Sequence, residues 1–240
     1  MSEPVRIVAL GDVDTRLWSL TKEVASILGD LPWVLIGGQM VAAIEAEHGA
    51  AVGRTTVDVD TLVDVRAATH ATLLAAHGLM EAGFVPERQG DDLTYRFIRG
   101  GDVVDVLAPD HVGERADIRT LPPGTTIEVA GGRQALDRRR TFQVAIGDDI
   151  FDLPVPTLLG AIVMKARATA SSRSGEEKHR RDLARLLALV GDPAQLRAQM
   201  SLKERGYLRS RAELCDPEHP AWRGIPRAED AIGVLERLAT

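Results

Sequence analysis

Hydrophobic residues follow two different patterns along the chain, and the change from one to the other divides it in two. Up to residue 156, short apolar runs with strand-like alternation are interspersed with stretches of helical spacing. The pattern predicts strands over 7–10, 33–36, 56–65, 93–98, 103–107, 127–129 and 142–146. It predicts helices over 15–28 and 67–82, and a further helix that follows Gly37-Gly38 and ends at Gly49. Gly100-Gly101 joins two of the strands, which predicts a hairpin.

From residue 157 onward the apolar positions have only helical spacing. Leu158, Ile162 and Lys165 share one helical face, and Ser174-Gly175-Glu176-Glu177 is typical of a capping box that starts the next helix. Further helices are predicted over 194–211 and 228–238. The proline-containing segment 151–156 is interpreted as extended chain at the seam between the halves. We therefore predict an α+β protein, with a mixed β-sheet and flanking helices over residues 1–153 and a helical bundle over 154–240.

Composition narrows the class of protein without naming a function. The 240 residues are 45% hydrophobic and 27% charged, which excludes global disorder. A net charge of -6 argues against tight, sequence-independent binding to nucleic acid. The single cysteine, Cys215, excludes an intrachain disulfide and fits the reducing cytoplasm. The sequence has neither an apolar run of about 18 residues nor a basic start followed by an apolar stretch, so we expect no membrane span and no signal peptide.

The strand predicted over 56–65 carries two carboxylates, Asp58 and Asp60, separated by one valine. Side chains two residues apart on a strand point to the same face, so these two should lie side by side. Two like charges held that close are unfavourable unless a proton or a cation lies between them. A Mg²⁺ ion bound by carboxylates and by substrate phosphates would relieve the repulsion. The pattern therefore predicts a magnesium site on this strand.

Asp105 is a third carboxylate in a comparable setting, within the apolar run Val103-Val104-Asp105-Val106-Leu107. Aspartate is disfavoured in the middle of a strand. If this strand neighbours the strand of Asp58 and Asp60, three carboxylates converge. Such a cluster would hold metal ions that activate an attacking hydroxyl and stabilise a leaving pyrophosphate. The alternative is that Asp105 is an exposed residue on a half-buried hairpin.

Gly37-Gly38 lies where a predicted strand ends and a predicted helix begins. Glycine lets a backbone approach a ligand closely, and the start of a helix offers unpaired N–H groups to a phosphate. The alternative is a simple tight turn. The pattern is neither a Walker loop, because no Gly-Lys-Ser/Thr follows, nor a dinucleotide fingerprint, because the third glycine is absent.

Together these features resemble the DNA polymerase β-like nucleotidyltransferase superfamily. The shared order is a strand ending in Gly-Gly, a helix, Asp-hydrophobic-Asp-hydrophobic, and a later strand with another Asp. More narrowly, Arg54-Thr55-Thr56-Val57-Asp58-Val59-Asp60 is similar to the AbiEii/AbiGii-type toxin nucleotidyltransferases. Those enzymes carry a basic residue, then a Ser or Thr two residues before the first Asp. The resemblance implies a nucleotidyltransferase-like sheet in which Gly37, Gly38, Arg54 and Thr56 bind substrate.

The helical half carries a second motif that is similar to the same group. Its members stand here in the family's order: Lys165, Arg173, Lys178 and Asp182-Leu183. The resemblance covers residues 33–187 and implies that Lys165 and Asp182 are catalytic and that Arg173 and Lys178 bind substrate. His179 is a departure, because the family usually has Asp at that place.

Lys165 and Asp182 are also unusual on physical grounds. Lys165 is on the inward face of its predicted helix, where an ammonium needs a partner or a solvated cleft, and triphosphate oxygens would serve. Asp182 is next to the apolar stripe of its helix and would orient Lys165 or Lys178, or position an acceptor hydroxyl. The alternatives are a lysine that reaches solvent at the helix edge and an ordinary surface pair of Lys178 with Asp182.

The resemblance implies an enzyme that transfers NMP from an NTP to an acceptor hydroxyl, with Mg²⁺ on Asp58, Asp60 and Asp105. It suggests an RNA acceptor, such as a tRNA end, and a cognate antitoxin as protein partner in a toxin–antitoxin system. Two alternatives stay open. One is a small-molecule acceptor such as an antibiotic hydroxyl, which the acidic net charge favours. The other is a non-catalytic descendant that binds nucleotide or a partner protein.

Overall fold

The computed structural model describes residues 3–9, 11–51, 53, 56–90, 92–168 and 176–240. The chain consists of two compact units, Met1–Thr157 and Leu158–Thr240. The first unit combines sheets with helices and the described part of the second is helical, so the protein is α+β. The boundary follows Thr157, whereas the sequence placed it after Leu153. Within the described residues, no helix has both the length and the apolar character needed to cross a lipid bilayer.

A mixed sheet of six strands forms the centre of the first unit. These strands are β2 (Trp33–Leu35), β3 (Val59–Val63), β4 (Val85–Glu87), β5 (Arg96–Arg99), β6 (Asp102–Pro109) and β9 (Glu128–Val129). Their spatial order is β2-β3-β6-β5-β4, and β9 pairs with the end of β6. β3 and β6 are parallel, whereas the β2–β3, β5–β6 and β4–β5 pairs are antiparallel. The predicted hairpin is confirmed as β5 and β6, and β6 is a central strand of the sheet.

Four described helices accompany this sheet: α1 (Asp12–Leu28), α2 (Gly37–Glu47), α3 (Ala71–Glu81) and α4 (Gly132–Asp137). α1 buries Leu17, Leu20 and Val24, which recur at helical spacing, and it ends before Gly29 as predicted. α2 begins directly at the two glycines that follow β2, which confirms the predicted strand–glycine–helix order. This connection places the N-terminus of α2 beside the end of β2 and hence beside β3.

A second sheet contains β1 (Val5–Arg6), β10 (Arg139–Ile146) and β11 (Asp149–Pro156), in the order β1-β10-β11. The segment 151–156 is extended as predicted and the boundary between the units follows it after Thr157, but the segment is part of β11, which pairs with β10 along its full length. β11 is an edge strand, where a proline without an N–H is tolerated. The strand predicted over 7–10 was wrong for residues 7–9, which follow β1 without belonging to a strand, and residue 10 lies outside the described residues. A short hairpin of β7 (Arg119–Leu121) and β8 (Gly124–Thr125) was not predicted.

The helical unit contains α5 (Leu158–Ala168), α6 (Glu176–Leu187), α7 (Pro193–Ala198), α8 (Leu202–Arg209) and α9 (Ala228–Ala239). Two short 3₁₀ helices, Ala212–Cys215 and Pro220–Trp222, precede α9. The single helix predicted over 194–211 was wrong. Ser201 interrupts it by forming a capping box with Glu204 that starts α8. The capping residues predicted for α6, Ser174 and Gly175, lie outside the described residues.

Candidate carboxylate metal site

One lateral row of charged residues crosses four strands of the central sheet. Backbone pairing places Glu87 opposite Arg96, Arg96 opposite Asp105, and Asp105 opposite Asp60. Residues directly opposite one another on neighbouring strands project from the same face of a sheet. The register alone therefore brings an arginine and two aspartates side by side.

Asp58 completes a group of three carboxylates, Asp58, Asp60 and Asp105, which we call the carboxylate cluster. Asp58 lies immediately before β3, two residues from Asp60. Each of the three residues offers one carboxylate oxygen, and these oxygens all lie within 4.8 Å of one another. The structure thus brings together the three carboxylates that the sequence predicted to converge, because β3 and β6 are parallel neighbours.

Asp105 is the most buried member of the carboxylate cluster, with only 4% of its surface exposed. This excludes the alternative in which it is an exposed hairpin residue. Val104 and Val106, on either side of it in β6, are fully buried on the other face. Burial raises the pKa of the Asp105 carboxyl above its usual value, while hydrogen bonds from Arg96 act in the opposite direction. The nearby Asp58 charge raises this pKa further.

Arg96 also belongs to the candidate site, and sequence reasoning missed it. Its Nε donates a hydrogen bond to Asp105 Oδ1 at 2.8 Å, and its Nη2 donates to Asp105 Oδ2 at 2.7 Å. The same Nη2 lies 3.8 Å from Asp58 Oδ2. The hydrogen bonds to Asp105 raise the pKa of the Arg96 guanidinium above its usual value. The signal was present in the sequence, since a tight turn at Gly100-Gly101 pairs Arg99 with Asp102 and hence Arg96 with Asp105.

The Asp60 carboxylate lies against the first residue of α2. A Cβ added to Gly37 would lie 1.8 Å from Asp60 Oδ2 and 2.7 Å from its Cγ, so only glycine leaves room for the carboxylate. Gly37 also has a φ of +72°, which disfavours other residues. The Asp60 backbone carbonyl accepts a hydrogen bond from the Ile36 N–H at 2.9 Å, which fixes β3 beside the start of the helix. Gly38 follows in the buried first turn of α2.

Thr56 is the residue that orients Asp58. Its hydroxyl donates a hydrogen bond to Asp58 Oδ1 at 2.7 Å, and Thr56 is itself buried. The sequence predicted a substrate-binding role for Thr56, and in the structure its hydroxyl serves the carboxylate cluster. Arg54, predicted to bind substrate beside it, lies outside the described residues.

The donor set of the carboxylate cluster fits Mg²⁺. Magnesium prefers oxygen ligands at about 2.0–2.1 Å, so two ligands on opposite sides of one ion lie about 4.2 Å apart. The carboxylate oxygens of the cluster lie within 4.8 Å of one another, which is close to this distance between opposite ligands. Small rotations of the side chains would therefore place three oxygens around one ion. The start of α2 beside Asp60 would also favour the approach of an anionic ligand to that ion.

The residues predicted in the helical half occupy α5 and α6. Lys165 and Asp182 form a buried ion pair, in which Lys165 Nζ lies 2.9 Å from Asp182 Oδ2 and the side chains are 3% and 1% exposed. Asp182 therefore orients Lys165, one of the alternatives that the sequence left open, and Lys165 does not reach solvent. Lys178 is exposed on α6, His179 is half-buried beside it, and Arg173 lies outside the described residues. A role for these residues towards a triphosphate stays a prediction.

Comparisons of the chain with protein-family models, with curated proteins and with solved structures found no match. Function is therefore inferred from the geometry of the carboxylate cluster and from the sequence motifs.

The contact between Gly37 and Asp60 yields a first prediction. We expect Gly37→Ala to weaken Mn²⁺ binding to the carboxylate cluster by about tenfold or more, because the added Cβ displaces the Asp60 carboxylate. Gly49→Ala is the matched control, since Gly49 also has a positive φ, +67°, but a Cβ there meets nothing within 4 Å. Both variants should lose about 1 kcal/mol of unfolding free energy through backbone strain, and Gly37→Ala should lose more. Equal Mn²⁺ affinities in the two variants would contradict this account.

The buried pair in the helical unit yields a second prediction. Asp182→Asn should lower the free energy of unfolding by about 3 kcal/mol, because it leaves the Lys165 ammonium buried without a carboxylate. Lys178→Gln, at an exposed position one turn earlier on the same helix, should change it by less than about 0.5 kcal/mol. Urea denaturation followed by circular dichroism gives both values. If Lys178→Gln lowered the free energy of unfolding more than Asp182→Asn, the buried pair of Lys165 with Asp182 would not be the stabilising contact.

Proposed function

We propose that the protein is a Mg²⁺-dependent nucleotidyltransferase that transfers NMP from an NTP to an acceptor hydroxyl. The observation that carries this proposal is the convergence of Asp58, Asp60 and Asp105, with Asp60 against the first residue of α2. The order strand, Gly-Gly, helix, strand with two aspartates, later strand aspartate supports a nucleotidyltransferase-like sheet in the first unit. A helical second unit agrees with the same assignment.

Each part of the site has a role in this reaction. Asp58, Asp60 and Asp105 would hold Mg²⁺, which when bound neutralises triphosphate charge and polarises the reacting phosphate. Asp60 and Gly37 lie where the first-turn N–H groups of α2 can bind phosphate oxygens. Thr56 keeps the Asp58 carboxylate in one orientation through its hydroxyl. Positioning of this kind supplies most of the catalysis in phosphoryl and nucleotidyl transfer.

Asp105 is suited to the acceptor side of the reaction. Burial raises the pKa of its carboxyl, and a raised pKa makes a carboxylate a better proton acceptor. Asp105 would take the proton of the acceptor hydroxyl, or it would hold the hydroxyl oxygen in line with the α-phosphate. The bond from the acceptor oxygen to the α-phosphorus then forms while the bond to the β-phosphate oxygen breaks, and pyrophosphate leaves.

The acceptor is proposed to be RNA, with the end of a tRNA as the specific candidate. Support comes from the resemblance of residues 54–60 and of the Lys165 to Asp182 motif to toxin nucleotidyltransferases. On this proposal the enzyme acts in the cytoplasm and is restrained by a cognate antitoxin. A small-molecule acceptor is the second candidate, favoured by the acidic net charge of -6. A non-catalytic nucleotide- or partner-binding protein is the third, favoured by the engagement of both Asp105 oxygens with Arg96.

In the decisive experiment the protein is incubated with Mg²⁺ and each α-³²P-labelled NTP in turn, with and without a tRNA pool. Transfer of the label to tRNA and release of pyrophosphate are measured in parallel. We expect label in tRNA and an equal release of pyrophosphate, both abolished by a chelator. Asp58→Asn, Asp60→Asn and Asp105→Asn should each lower the rate by about 100-fold or more. Asp102→Asn, on the same strand as Asp105 but paired with Arg16 and Arg99, should keep the rate within about twofold.

The other outcomes separate the remaining candidates. Pyrophosphate release that needs a small hydroxylated acceptor and not tRNA would favour the second candidate. A folded protein that transfers nothing to any acceptor would favour the third. Full activity in Asp58→Asn would show that the carboxylate cluster is not the site.

A further inference from the structure

Arg96 is a cation built into the carboxylate cluster. Its guanidinium makes two hydrogen bonds to the Asp105 carboxylate, at 2.8 and 2.7 Å, and lies 3.8 Å from Asp58 Oδ2. It thus contacts or approaches two of the three groups proposed to bind metal. The function proposed above does not use this residue.

The fold fixes Arg96 in this position. It is held on β5 between Asp105 on β6 and Glu87 on β4, and each of these pairs is set by backbone register. The Arg96 side chain is 31% exposed, whereas the Asp105 carboxylate that it contacts is 6% exposed. A planar guanidinium that bonds both oxygens of one carboxylate is a geometrically specific arrangement. Arg96 is therefore a permanent part of the site before any ligand binds.

A resident positive charge affects the two parts of a metal–nucleotide complex in opposite ways. It repels a divalent cation a few ångströms away, which corresponds to about tenfold or more in affinity even at the dielectric constant of water. It attracts the oxygens of a triphosphate, for which guanidinium is a preferred partner. The carboxylate cluster alone would show the reverse preference, because three carboxylates bind a cation and repel an anion.

We propose that Arg96 weakens divalent-metal binding to the carboxylate cluster in the absence of nucleotide, so that the metal loads together with the triphosphate. This rests on the metal site of the proposed function but not on the transfer reaction. Arg96 is a positioning residue in this role, because it acts through Asp105 and Asp58. The consequence is a site that stays largely free of metal until an NTP arrives.

The test titrates the full-length protein with Mn²⁺ alone, without nucleotide, and measures free Mn²⁺ by electron paramagnetic resonance. Arg96→Gln should bind Mn²⁺ at least about tenfold more tightly than the wild type. Arg99→Gln is the matched control. Arg99 is on the same strand and makes the same two-hydrogen-bond contact, but with Glu23, away from the carboxylate cluster. Its Mn²⁺ affinity should equal that of the wild type.

Two results would overturn the proposal. One is a folded Arg96→Gln variant, judged by cooperative thermal unfolding, that binds Mn²⁺ no more tightly than the wild type. A purely structural role would give this result, because loss of the arginine would disorder Asp105 and weaken binding. The other needs no variant: a wild-type dissociation constant for Mn²⁺ tighter than about 0.1 mM, a range reached by sites with several uncompensated carboxylates. The wild-type value decides the matter if Arg96→Gln fails to fold.

The outcome is separable from that of the transfer assay. An active enzyme whose Mn²⁺ affinity is insensitive to Arg96→Gln would remove this inference and leave the proposed function standing. An inactive protein in which Arg96→Gln tightens Mn²⁺ binding would remove the proposed transfer reaction and leave this inference standing.

Discussion

Repulsion among three carboxylates within 4.8 Å is the constraint on which the candidate site depends. Such groups cannot all stay ionised unless positive charge is supplied nearby. Arg96 supplies one charge through its two hydrogen bonds to Asp105. The two negative charges that remain match those of one divalent ion. One divalent ion would therefore balance the charge of the carboxylate cluster, but the Arg96 guanidinium opposes its binding until a triphosphate brings further negative charge.

The backbone holds these charges together against their repulsion. Two unit charges about 4 Å apart repel by about 1 kcal/mol in water and about 4 kcal/mol near a protein surface. Val104 and Val106, the buried neighbours of Asp105, each contribute about 1.5–3 kcal/mol through burial of their side chains. The Thr61 hydroxyl adds a hydrogen bond to the Asp105 carbonyl at 2.8 Å. Packing on one face of the sheet thus offsets the electrostatic cost on the other.

The sequence predicted those parts of the site that depend on local geometry. The side-by-side placement of Asp58 and Asp60 follows from strand periodicity, and the start of α2 follows from Gly37-Gly38. The pairing of β3 with β6 could not be read from the sequence, because it joins strands some 45 residues apart through register: Asp60 pairs with Asp105. The pairing of Arg96 with Asp105 could have been predicted from the sequence, because the turn at Gly100-Gly101 sets the register of the hairpin. The single helix predicted over 194–211 failed for a local reason, because a capping serine lies inside an apparently continuous helical pattern.

The distribution of charge bears on the choice of acceptor. The net charge of -6 combines an acidic first unit with a basic second unit, since Asp and Glu outnumber Lys and Arg by 24 to 14 up to Thr157, whereas Lys and Arg outnumber Asp and Glu by 15 to 11 after it. Binding to RNA depends on local lysines and arginines that contact phosphates rather than on the charge of the whole chain. An acidic total is therefore compatible with an RNA acceptor if the helical unit makes the phosphate contacts. Net charge therefore does not favour a small-molecule acceptor over RNA for the proposed reaction.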